Sequence, residues 1–190
     1  MRAAPVESNA RLTGYVAVAL LVPLGAEFVT GLRTKELLAA HALIGFVLVP
    51  PVLLKLASVG YRFLRYYTGD LRYRAAGPPR PAMRLLGPVV VVLTVIVFGT
   101  GIELWLFGYR FGFVWVPIHH ASAYLWFLAT AVHVVNYVRL APELALADWR
   151  DHLRGTLTRR ALVVGSFVLG ISLALAMLPF PTPFLPAKGG

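Results

Sequence analysis

Read for runs of apolar residues, the chain resolves into five segments of about the 20 residues that an α-helix needs to cross the hydrocarbon core of a bilayer: residues 12–32, 37–59, 86–107, 116–140 and 161–178. The pattern predicts an all-α integral membrane fold. Pro23, Pro50 and Pro51 fall inside the first two segments, where neighbouring helices can satisfy the carbonyls that a proline frees. The first segment has neither the charged start nor the small-x-small cleavage site of a signal peptide, and a second apolar run follows it closely, so it reads as a retained span. The links at 33–36, 61–84, 108–115 and 141–160 are too short to fold as separate units. Residues 1–190 therefore read as a single membrane domain, with a four-helix core over 12–140 and an additional transmembrane helix at 161–178.

Composition agrees with the pattern and narrows the chemistry. The hydrophobic share is 58% and the mean hydropathy +0.74, against the roughly 45–50% apolar usage of soluble domains. There is no cysteine, which excludes disulfides, zinc–thiolate sites, iron–sulfur clusters and a covalently attached c-type haem. The net charge of +10 arises from basic residues between the apolar segments, so it reports topology and not a nucleic-acid partner. Thirteen of the 18 Lys and Arg residues lie in the amino terminus, in the second and fourth links and, as Arg139, at the adjoining end of the fourth span, while the opposite side has only Arg33, Lys35, Arg110 and Lys188. By the positive-inside rule the expectation is a multi-pass protein of a bacterial plasma (inner) membrane, with its amino terminus cytoplasmic and its carboxyl terminus external.

Four of the five histidines fall in the second and fourth spans: His41, His119, His120 and His133. Ionisable groups in lipid are costly and mark function, so this clustering is the strongest chemical signal in the chain. His41 and His119 each open a span running in the same direction, at similar depth, where two imidazoles could meet one iron. A step of 14 residues advances a helix by about 1,400°, some 40° short of four turns, with a rise of about 21 Å. His133 stands at that step from His119 and Lys55 at that step from His41; His120 falls about 140° off the face of His133, so His119 is the better ligand. Gly45 and Ala123, one turn deeper than His41 and His119, leave room for a flat macrocycle. A short internal repeat precedes each histidine span: Phe28-Val29-Thr30-Gly31 and Phe98-Gly99-Thr100-Gly101. Trp105, Trp115, Trp126, Tyr109 and Tyr124 read as an interfacial aromatic belt.

On these residues, His41 with Gly45 and Lys55, and His119 with His133, residues 12–140 resemble the four-helix membrane cytochrome b superfamily. They are particularly similar to the haem-bearing membrane segments that accompany bacterial molybdopterin oxidoreductases. The resemblance implies a b-type cytochrome transferring electrons within or across the membrane as the membrane subunit of a redox complex. Haem b would be held by His41 and His119, with His133 at a second, inner position. Relatives with two haems use two histidine pairs, whereas this chain has Lys55 where the inner partner of His133 would stand. Lys55 either ligates a second iron as a neutral amine or stays charged and reaches toward Arg62 and Arg65. Quinone and a separate molybdopterin or other redox protein are the partners implied, with the lipid bilayer around the helices. No nucleotide- or flavin-binding pattern is present, so electrons arrive from elsewhere. A second reading uses Glu27, His41, Glu103 and His119 as a carboxylate and imidazole cage for a transition metal, or as the path of a metal or ion transporter. A third is a non-catalytic membrane assembly partner whose histidines only pack.

Overall fold

The computed structural model describes residues 4–150 and 154–178. It is all-helical, with no strand among the described residues: α1 (Ala4–Gly31), α2 (Thr34–Tyr67), α3 (Leu71–Ala75), α4 (Pro81–Phe107), α5 (Trp115–Tyr137), α6 (Leu140–Arg150) and α7 (Thr156–Met177). Four of these, α1, α2, α4 and α7, are long and apolar enough to cross a membrane; α5 and α6 meet the condition together as a pair bent by 56°. Large side chains such as Val22, Val95, Leu128, Val135, Val164 and Leu169 stay exposed along them, as lipid-facing surfaces require.

The helices outrun the apolar segments seen in the sequence. Hydropathy marks only the part of a helix that lies in hydrocarbon, and backbone bonding carries α1, α2 and α4 on into polar turns. The link at 61–84 is accordingly two-thirds helical. After α2 ends, Asp70 caps α3 by accepting from the Arg72 amide at 2.9 Å, and pairs with the Arg65 and Arg72 guanidiniums. Hydrogen bonding from Arg72 and Arg65 pulls its carboxyl down to about 2. Tyr73 is buried, its hydroxyl donating to the Pro5 carbonyl at 3.3 Å, which ties α3 to the start of α1.

The link at 141–160 departs further from the sequence expectation. It holds α6, which folds back on α1. Asp148 on α6 is 1% exposed and pairs with Arg159 on α7, which also donates to Ser8 at 2.8 Å. Arg11 on α1 donates to the Ala147 carbonyl at 2.8 Å. Arg11, Arg65, Arg72 and Arg159, counted in the sequence among the charges that report topology, are thus each engaged by a specific partner.

α2 is the central element, packed between α1 and α7. Val16, Leu20, Leu48, Val52 and Val163 close one apolar core where these three helices meet. Pro51 has no N–H to offer the Val47 carbonyl one turn back. That carbonyl faces α7 at Gly170, where a Cβ would stand 2.1 Å from the Val47 oxygen. α7 can cross α2 this closely only because the residue is glycine. α4 and α5 form a second unit packed on each other, and it meets the first mainly through α6 on α1 and a light α2–α4 contact.

Candidate functional site

Between these two units lies a cavity of about 480 Å³, within the roughly 300–1,000 Å³ of cofactor and small-molecule sites. Its walls are predominantly apolar, with Phe28, Phe46, Phe98, Trp105, Trp126 and Phe127 supplying aromatic surface from both units. Phe28 meets Phe127 at 4.9 Å between ring centroids, and Phe46 meets Trp105 at 6.2 Å. The cavity opens at the end of the bundle where α1 turns into α2. Thr34, Lys35, His120 and Tyr124 line its mouth.

His41 and His119 face each other across this space, their ring centroids 6.2 Å apart and their planes at 71°. They are the eighth residue of α2 and the fifth of α5, brought side by side by the two helix pairs. His120 also touches the cavity but stands exposed at the mouth, its ring 6.3 Å from that of His119. Gly45 and Ala123 line the walls one turn below the two histidines.

The two imidazoles are seated by the same device. Thr100 Oγ1 lies 2.9 Å from His119 Nδ1, and Thr30 Oγ1 lies 3.5 Å from His41 Nδ1. The glycine after each threonine makes room for the ring: a Cβ on Gly101 would stand 3.0 Å from His119 Cε1, and one on Gly31 would stand 3.3 Å from His41 Cε1. The repeated Thr-Gly pair is therefore a seat for histidine, a role the sequence reading of the repeat missed. The signal was present in the pair itself, because threonine and glycine in the last turns of an apolar helix have no lipid-facing purpose.

The two seats differ in one respect. Glu27 lies beside the first, with Oε1 3.2 Å from His41 Nδ1. The same place before the second repeat is held by Val97. Glu27 lines the cavity, and its Oε2 is buried without a hydrogen-bond partner among the described residues.

The inner residues are placed elsewhere. Lys55 Nζ donates to the Thr13 carbonyl on α1 at 2.7 Å, next to a polar cluster of Asn9, Thr13 and Ser58. It thus turns toward α1 and not toward Arg62 and Arg65. His133 stacks on Tyr137 at 4.8 Å between centroids, and its Nδ1 is buried without a partner among the described residues. Neither Lys55 nor His133 lines the cavity.

A metal–imidazole bond is about 2.0–2.1 Å long, so two imidazoles ligating one iron from opposite sides have ring centres about 6 Å apart. The observed separation fits, and the apolar aromatic walls suit a macrocycle. A bare ion fits less well. Among the described residues no group of three or more His, Cys, Asp or Glu side chains could hold a metal. Glu103, expected to complete a cage with Glu27, His41 and His119, does not line the cavity; both its carboxylate oxygens are buried without partners among the described residues. A porphyrin brings four of iron's six ligands itself, so two histidines suffice for haem but not for an unchelated ion. Comparison with protein-family models, with curated proteins and with solved structures finds no match for this chain.

Proposed function

We propose that the chain is a b-type cytochrome that transfers electrons within or across a membrane, as the membrane subunit of a redox complex. The observation that supports this reading best is the facing pair His41 and His119 in an apolar cavity, 6.2 Å between ring centroids. In this reading the two imidazoles would hold haem b and the walls around Gly45 and Ala123 would take the macrocycle, with Lys35, His120 and Tyr124 as the polar groups at the mouth. Haem iron with two imidazole ligands supplies one-electron transfer with no position left for oxygen. The chain's own residues orient the ligands and exclude water from the iron. Electrons pass between the cavity and a quinone or a separate redox protein, a molybdopterin enzyme among them. In this reading the amino terminus lies in the cytoplasm of a bacterium and the cavity mouth on the external side, an orientation that the distribution of basic residues supports.

The test is direct. Protein purified in detergent should be red, with a Soret band and with alpha and beta bands on reduction. Pyridine haemochrome should give one haem per chain. A ratio of two, falling toward one in Lys55→Met, would move Lys55 and His133 into a second site. Colourless protein carrying stoichiometric zinc, iron or manganese would sink the cytochrome reading in favour of a metal site, and colourless, metal-free protein would favour an assembly role.

A further inference from the structure

We infer that Thr30 and Thr100 are positioning residues that fix the tautomer of His41 and His119, holding the proton on Nδ1 and leaving Nε2 bare for a metal. A hydroxyl has one hydrogen to give. Thr100 gives it within its own helix, to the Ile96 carbonyl at 2.7 Å. Its oxygen can then only accept at the 2.9 Å contact with His119 Nδ1, so the ring must carry its hydrogen there. In a neutral imidazole that leaves the lone pair on Nε2.

The first seat repeats the argument at longer range. Thr30 Oγ1 donates to the Ala26 carbonyl at 2.9 Å and is 3.5 Å from His41 Nδ1. Glu27 Oε1, at 3.2 Å from the same nitrogen, adds a second acceptor for the same tautomer when the carboxyl is ionised. A third threonine shows the device at work on another ring. Thr94 Oγ1 donates to the Val90 carbonyl at 2.7 Å and accepts the Trp126 indole N–H at 2.7 Å. In each case a helical threonine spends its proton on the backbone one turn back and becomes a pure acceptor toward the neighbouring helix.

The two ligands are consequently unequal. His119 has Thr100 at 2.9 Å beside the Val97 backbone, whereas Thr30 stands 3.5 Å from His41, which has the Glu27 backbone and Glu27 Oε1 as well. An acceptor on the far nitrogen raises the basicity of a ligating imidazole and fixes its orientation. Loss of Thr100 must therefore be felt more than loss of Thr30.

The inference rests on the haem reading, and its test separates the two. Thr100→Val keeps the shape and removes the acceptor; Thr100→Ser restores it. In detergent-purified protein the midpoint potential of Thr100→Val should rise and its low-spin g values should change. Thr100→Ser should match the parent, and Thr30→Val should shift less than Thr100→Val. In parallel, ¹⁵N spectra of histidine-labelled protein should report the Nδ1–H form for His119 in the parent and a loss of that preference in Thr100→Val. If the parent is colourless the haem reading fails, and the ¹⁵N measurement on that colourless protein still decides the tautomer. A Thr100→Val protein with the parent's potential and ¹⁵N pattern, or a Thr30→Val effect larger than that of Thr100→Val, overturns the inference.

Discussion

Adjacent in the chain, His119 and His120 are separated by about 100° around α5, and that angle decides their fates. His119 turns in against Thr100 and Gly101, while His120 stays exposed at the cavity mouth. We expect His41→Ala and His119→Ala each to abolish low-spin haem and His120→Ala largely to spare it, measured as Soret absorbance per chain. Haem lost from His120→Ala and retained in His119→Ala would reverse the assignment. The histidines that face each other were legible from their opening positions in two parallel spans. Their seats were marked by the repeated Thr-Gly pair, but their role as acceptors was not, because a threonine becomes an acceptor only once its hydroxyl is seen bonded to the carbonyl one turn back. Lys55 was illegible for a related reason: its partner is a backbone carbonyl of Thr13 on another helix, and backbone groups leave no mark in a pattern of side chains.

Among the elements, α2 combines two prolines with close helix crossing. The Val47 carbonyl, released by Pro51, lies against Gly170, so an added methyl at that position meets the Val47 backbone and cannot be relieved by a rotamer change. Gly170→Ala should lower stability by about 1–3 kcal/mol, the usual cost of overpacking, read as an earlier midpoint in detergent denaturation. An unchanged midpoint would mean that α7 is not held at this crossing. Five apolar runs became helices because length and hydropathy govern them. α6 escaped the sequence reading because Glu143, Asp148 and Arg150 give Leu140–Arg150 the look of a polar link. Its helix is held by burial on α1 and by the pairing of Asp148 with Arg159, and nothing local in the sequence announces a tertiary ion pair.

For the molecule as a whole, the distribution of charge gives a topological expectation. Reporters fused within residues 61–84 should read cytoplasmic and those within 108–115 external; the opposite readings would invert the chain and place the cavity mouth inside the cell. The two helix units raise a different matter. α2 and α5 carry the facing histidines yet scarcely touch along their backbones, so the cavity takes the place that side-chain interdigitation fills in a closed bundle. Whatever occupies it becomes a shared wall for both units, and its binding energy adds to their cohesion by mass action: a ligand held at 100 times its Kd raises stability by about 2.7 kcal/mol. Added to protein stripped of pigment, haemin should therefore raise Tm in a concentration-dependent way, and should protect amides of α4 and α5 from hydrogen exchange as well as those beside the histidines. Cofactor supply would then set how much of this protein survives in the membrane, making its abundance a readout of haem.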